Sequence, residues 1–308
     1  MREDVTFQSE DVNCSAFYYR PEGSNLPAVA MAHGFSGVKE MDITAFAERF
    51  AAAGIATLLF DYRYFGASEG SPRGRLHPAA QIEDYRNALT WLGLRPEIDE
   101  NRLGVWGTSF AGAHVLHLGA FDRRIKAVVS QIPAIDIYQN AQRLMTPKQF
   151  AGMTALIAAN RKAHYADGSI AKMKVVAPDG EPCLMPSQQS YENLTRLQST
   201  IAPNWCNEVT VDSVEKIFEY RPALSIELIS PTPLLMIVGG RDALTPPEFA
   251  LDAFSKAREP KSLYYFDGDH YGAYHDPAIF EEASSRATDW FLQHLRGPAV
   301  AADRASAA

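Results

Sequence analysis

Gly107-Thr108-Ser109-Phe110-Ala111-Gly112 separates a strand-like run, Leu103 to Trp106, from a helix-like one. A serine at such a junction reads as a nucleophile elbow. Its hydroxyl is a poor nucleophile until a tight turn holds it beside a base, and that turn needs small residues where strand and helix nearly collide. Gly107, Ala111 and Gly112 supply them, with alanine where the usual G-x-S-x-G pattern ends in glycine. Small-residue turns that contain serine are common, so the weight of this reading depends on its surroundings.

Outward from the turn, short apolar runs alternate with amphipathic segments, the mark of βα units around a parallel sheet covered on both faces. The strands read as Ala28 to Ala32, Ala56 to Phe60, Leu103 to Trp106, Lys126 to Ser130, Leu234 to Val238 and Ser262 to Phe266. Val5 to Gln8 and Ala16 to Tyr19 alternate in polarity and read as an antiparallel hairpin at the sheet edge. Helical stripes are formed by Phe46 and Phe50, by Ile82, Tyr85, Leu89 and Leu92, and over Pro277 to Leu295, with Gly297 and Pro298 as the stop. Thr245-Pro246-Pro247-Glu248 reads as a capping box with a helix starting directly after Thr245. The fold class is thus α/β, with core residues 1–137 and 228–297.

Residues 138–227 break this rhythm. They hold helical patches, Phe150 to Ala163 and Val211 to Glu219, divided by Ala177-Pro178-Asp179-Gly180. A structureless loop of that length is foreign to a compact domain, so the segment reads as a mostly helical insertion or cap. Of Met145, Phe150, Met153, Leu156, Ile157, Met173, Met185 and Trp205, most are expected to pack the cap and the rest to line a pocket. Residues 298–308 show no apolar periodicity and read as a frayed, disordered tail.

A serine nucleophile requires a base, and the base an orienting carboxylate. Asp242 follows the apolar strand Leu235-Met236-Ile237-Val238, and His270 follows the next one, Tyr264-Tyr265-Phe266. Parallel strands end along one edge, so Ser109, Asp242 and His270 converge there as the catalytic candidates. Their chain order, Ser then Asp then His, is that of α/β-hydrolases. Asp242 alone also reads as a turn former or a partner of Arg241. Asp267 and Asp269 are rival acids placed to decorate the His270 loop, and His114 and His117 read as packing or surface residues. His33-Gly34-Phe35-Ser36-Gly37, after Ala28 to Ala32, reads as the oxyanion turn, with the backbone N–H groups of Phe35 and Phe110 as its donors. An ordinary Gly-rich turn is the plain alternative.

With these motifs the chain resembles the α/β-hydrolase superfamily. Asp61-Tyr62-Arg63-Tyr64-Phe65-Gly66-Ala67-Ser68-Glu69-Gly70 is similar to that family's D-x-R-G-x-G-x-S segment, and Gly240-Arg241-Asp242, Thr245-Pro246 and Asp269-His270 match further stations. Tyr64 replaces the usual glycine, which leaves the shape of that loop open and offers an aromatic ring to the pocket. Within the superfamily the chain is most similar to dienelactone-hydrolase-like and Xaa-Pro-peptidase-like esterases and to fungal polyketide-releasing acyl transferases. The resemblance implies a serine hydrolase of the carboxylesterase or thioesterase kind, acting on an ester, thioester or lactone with an apolar acyl part. Halide or epoxide chemistry on this fold uses an aspartate nucleophile, against which Ser109 argues.

The totals agree with that class. The chain has 308 residues, 46% of them hydrophobic, and a net charge of −8 from 29 basic and 37 acidic residues. A basic footprint for nucleic acid is missing, and small apolar substrates fit better. Cys14, Cys183 and Cys206 are too few and too scattered for a disulfide framework or a zinc knuckle, so no metal and no cofactor is expected. No signal core or membrane-length run is read, so a cytoplasmic protein without a membrane partner is expected, its oligomeric state open. An acyltransferase, a carbon–carbon bond hydrolase and a non-catalytic receptor on the same fold remain as alternatives.

Overall fold

The computed structural model describes residues 1–296. The chain opens with β1 (Arg2–Ser9) and β2 (Val12–Tyr19), an antiparallel hairpin, followed by β3 (Leu26–Ala32), α1 (Thr44–Ala52), β4 (Ala56–Phe60), α2 (Pro78–Gly93), β5 (Ile98–Thr108), α3 (Phe110–Phe121) and β6 (Ile125–Gln131). The insertion contributes α4 (Ile137–Leu144), α5 (Pro147–Asp167), β7 (Lys172–Lys174), α6 (Gln188–Thr200), β8 (Glu208–Thr210), α7 (Val211–Glu219) and a 3-10 segment, Pro222–Ile229. β9 (Leu234–Gly239), α8 (Pro247–Lys256), β10 (Lys261–Phe266), α9 (Gly272–His275) and α10 (Pro277–His294) complete the described chain.

Eight strands form one sheet in the order β1-β2-β4-β3-β5-β6-β9-β10. β2 runs antiparallel to β4, and every pairing from β4 through to β10 is parallel. Strands of this kind are apolar on both faces because helices cover both. β3 is buried along its whole length: Ala28, Ala30 and Ala32 enter one hydrophobic layer, Val29 and Met31 the other. β9 divides likewise, Leu234, Met236 and Val238 against Leu235 and Ile237. α1 and α10 share one face, where the Phe50 and Phe291 rings meet edge to face at 5.4 Å. Ile82, Tyr85, Leu89 and Leu92 bury the stripe of α2 on the other.

The insertion is mostly helical, as expected, with one addition that the sequence did not show. β7 and β8 form a two-stranded antiparallel ribbon, Lys172 opposite Thr210 and Lys174 opposite Glu208. Strands of three residues carry too little periodicity to be read from sequence. α5 starts at a true capping box, with Thr146 Oγ1 accepting from the Gln149 amide, and ends at Gly168 in the left-handed region, φ +79°. Backbone and side-chain bonds stitch the insertion to the core: Thr210 N–H donates to Gly74 O and Leu76 N–H to Ser213 Oγ. Arg75 and His77 both hold the Asp212 carboxylate. The expected tail, 298–308, and the expected helix stop at Gly297 and Pro298 lie outside the described residues.

Cys14 and Cys183 are buried thiols and Cys206 an exposed one. Among the described residues no helix is long and apolar enough to cross a membrane.

Candidate active site

Ser109 lies between the end of β5 and the start of α3, with φ +55° and ψ −114°. A serine held there is strained, and the surroundings must clamp it. Its N–H donates to Gln131 O at 2.9 Å, and its carbonyl accepts from Ala134 N–H at 2.9 Å and Ala113 N–H at 3.3 Å. Gly107 is the residue that permits the turn: a Cβ there would lie 2.3 Å from Ala111 O.

Asp242 follows β9 and His270 follows β10, and the two meet, His270 Nδ1 donating to Asp242 Oδ2 at 2.7 Å. The carboxylate is almost wholly buried, and four donors serve it. Oδ1 accepts from the amides of Leu244 (2.8 Å) and Thr245 (2.7 Å), and Oδ2 also accepts from Thr245 Oγ1 at 2.6 Å. Burial alone would push this carboxyl's pKa up, but the His270 charge and hydrogen bond, with those from Thr245, hold it below the ordinary carboxylate value. Arg241 turns away to Asp267, so the rival reading of Asp242 as its partner does not hold. Asp269 accepts from the Tyr271 and Gly272 amides at the head of α9 and from Gln189 of the insertion, which makes it a loop residue as read.

Thr245 corrects a sequence expectation. It caps no helix: α8 begins at Pro247 behind Pro246, and the threonine hydroxyl and amide both serve Asp242. A carboxylate three residues upstream competed for the same donors and, being charged and buried, won them. Tyr64 is a second point settled by the structure. It adopts φ +74°, and its ring lies over Gly70, away from the cavities at Ser109.

Phe35 and Phe110 approach one another, rings edge to face at 5.9 Å. Among the described residues neither of their amides donates to a protein acceptor. The turn that carries Phe35 is closely supported. Buried His33 donates from Nδ1 to Gly34 O at 3.0 Å, and Trp205 of the insertion donates from Nε1 to Ser36 O at 2.9 Å. Gly34 abuts the serine, since a Cβ on it would stand 2.9 Å from Ser109 Cβ. Gly34→Ala is therefore expected to push the turn off the serine and lower kcat by ~10²–10³, the cost of losing one oxyanion donor. Ester turnover and a melting curve check this, an unchanged kcat counting against it.

Asp61 and Arg63 are structural. Asp61 is buried, ion-paired with Lys39 at 2.8 Å and bonded to the Lys39 and Ala67 amides, while Arg63 pairs with buried Asp84. His114 sits within α3 beneath the site, bonded to Gln81 Oε1 at 2.9 Å and Tyr220 Oη at 3.0 Å. Burial pushes its pKa down from 6.5 to about 3. Between those values the unfolded chain binds a proton that the folded one refuses, so stability falls as pH drops below about 6.5. Relative to His114→Gln, the parent should lose about 1.4 kcal/mol more per pH unit between pH 6 and 4. Denaturant unfolding at several pH values measures both slopes, and equal slopes would refute the assignment.

Ser109 and His270 line one cavity of about 110 Å³, closed by Phe35, Phe110 and insertion side chains including Met145, Met153 and Phe218. Among the described residues no hydrogen bond joins the Ser109 hydroxyl to the imidazole. Of the insertion residues singled out from sequence, Met145, Met153 and Met185 line this cavity. Trp205 is buried against the His33–Gly37 turn, and Leu156 is exposed. Sequence reasoning missed the service of Thr245 to Asp242 and of Trp205 to Ser36. The first had a signal in its spacing from Asp242; the second had none.

A model of the family described as X-Pro dipeptidyl-peptidase (S15 family) matches residues 12–272. The quorum-quenching protein AidA of Acinetobacter baumannii is 36% identical over 272 residues, 88% of either chain. Thiohydrolase aneE of Aspergillus aculeatus is 35% identical over 258 residues, 81% of this chain and 80% of the relative. The crystal structure of the α/β hydrolase GrgF from a Penicillium species superposes with a TM-score of 0.82 at 26% identity, covering 96% of this chain and 99% of that one. A sheet of this order, an elbow turn at β5 and a match spanning nearly all of it lead to one conclusion: the chain belongs to the X-Pro dipeptidyl-peptidase (S15) family of α/β hydrolases.

Proposed function

We propose that the protein is a serine hydrolase of carboxylic esters or thioesters with an apolar acyl part, working through Ser109, His270 and Asp242. The observation that carries this reading is the 2.7 Å bond between buried Asp242 and His270 on the wall of a cavity that also contains the strained Ser109. The bond sets the proton on Nδ1 and leaves Nε2 as the base. Ser109 Oγ gives its proton to Nε2 and attacks the carbonyl carbon, while the Phe35 and Phe110 amides receive the negative charge on oxygen. His270 then delivers the proton to the departing oxygen or sulfur, leaving an acyl enzyme. Water, deprotonated by His270, releases the acid. The apolar cavity walls and the thiohydrolase relatives support an acyl chain as the part bound.

A fluorophosphonate probe tests the nucleophile. A covalent adduct on Ser109, lost in His270→Ala, is the expected result; an unlabelled native protein overturns the reading. Relatives named polyketide transferase and acyltransferase favour one second reading, delivery of the acyl group to an alcohol. Acyl turnover measured with and without alcohol acceptors separates the two.

A further inference from the structure

A second cavity, of about 80 Å³, shares Phe35, Ser109, Met185 and His270 with the first and has otherwise different walls. Both are mostly apolar: Ile137, Ala141, Leu144 and Met153 help to finish the first, and Met41, Ile43, Leu194 and Leu197 the second, where Asp42, Asn193, Tyr271 and Tyr274 add polar groups. Met185, from the insertion, belongs to both. Asn193 on α6 is only 8% exposed. Its Oδ1 accepts from Arg196 at 2.9 Å, and among the described residues its Nδ2 has no protein acceptor. Asp42 uses Oδ2 to accept from His275 at 2.9 Å, and among the described residues its Oδ1 has no protein donor. An alkyl chain that reached Asn193 Nδ2 and Asp42 Oδ1 would take water from them and return no hydrogen bond. A body with one acceptor and one donor would satisfy both.

We propose that the second cavity holds the leaving group, and that Asn193 and Asp42 select an alcohol or thiol that carries an amide. The inference rests on the Ser109 reading above. His270 must protonate the departing atom, and its chain neighbours Tyr271 and Tyr274 line this cavity and not the first. As the Ser109 Oγ–acyl carbon bond forms, the acyl carbon–sulfur or –oxygen bond breaks. The proton taken from Oγ passes through Nε2 to the leaving atom, and hydrolysis by water restores both groups.

The test uses two hexanoyl thioesters of similar length, one of N-acetylcysteamine and one of pentanethiol, with a series of acyl lengths on the first. Asn193→Leu should lower the amide-to-alkyl ratio of kcat/KM about tenfold, the worth of one buried hydrogen bond. Asp42→Asn should lower it about threefold; asparagine tolerates the φ of +53° at that position, so this variant keeps its backbone. The acyl-length profile should shift instead in Met153→Trp. A ratio that stays at the parent value in both polar variants, or an acyl-length profile that moves with Asn193, overturns the assignment. Fluorophosphonate labelling of each protein separates the failures: labelled variants with the parent ratio refute the leaving-group site alone, and an unlabelled parent refutes the nucleophile.

Discussion

Ser109→Ala is expected to lower kcat for ester or thioester hydrolysis by ~10⁴–10⁶ with the fold intact, as in dissected triads on other folds. Alanine keeps the Cβ and the three backbone bonds to Gln131, Ala134 and Ala113, so the loss isolates the hydroxyl. Ser109→Gly should be as inactive and also more stable than the parent, by about 1–2 kcal/mol, because glycine relieves the strain at φ +55°. Turnover and denaturant unfolding on both variants test the pair of claims together. A tenfold loss of rate would point to another nucleophile, and a destabilised glycine variant would mean that the turn is relaxed.

The second large effect is at Asp242. Asp242→Asn should lower kcat by ~10⁴ while leaving the imidazole in place. The geometry explains why. Asparagine would keep its oxygen on the Leu244 and Thr245 amides and turn its NH₂ toward His270 Nδ1. That nitrogen would then accept, the proton would move to Nε2, and the base would face Ser109 already protonated. Raising the pH should rescue little of the activity, since the tautomer and not the charge is wrong. A loss below a hundredfold would show that Asp242 does not set the tautomer.

The sheet was legible because each central strand is an apolar run bounded by turn residues, and because β-strands buried on both faces need no alternation to be recognised. The positions of Asp242 and His270 followed from the sheet, since parallel strands end on one edge. Thr245 shows where such reading fails. Threonine before proline and glutamate has the local form of a helix cap, and that form masks the Asp242 carboxylate three residues upstream, which takes the same donors. The α6 helix and the β7–β8 ribbon were not read at all. Their residues are mostly polar or few, and core contacts hold them rather than their own pattern: Thr210 of β8 bonds to Gly74, and Gln189 and Arg196 of α6 reach Asp269 and His275.

The indole of Trp205 on Ser36 also bears on how this scaffold can change. Methionines and other pliable side chains of the 138–227 segment line the first cavity, whereas Ser109, Asp242 and His270 come from the sheet edge. Exchanging that segment with one from a relative should transplant the acyl preference, provided that the graft brings a donor to stand where Trp205 stands and keeps the stitch at Thr210 and Ser213. Mutational libraries in search of new substrates are best spent on Met145, Met153 and Phe218, with Trp205 held invariant as the keystone between the two parts.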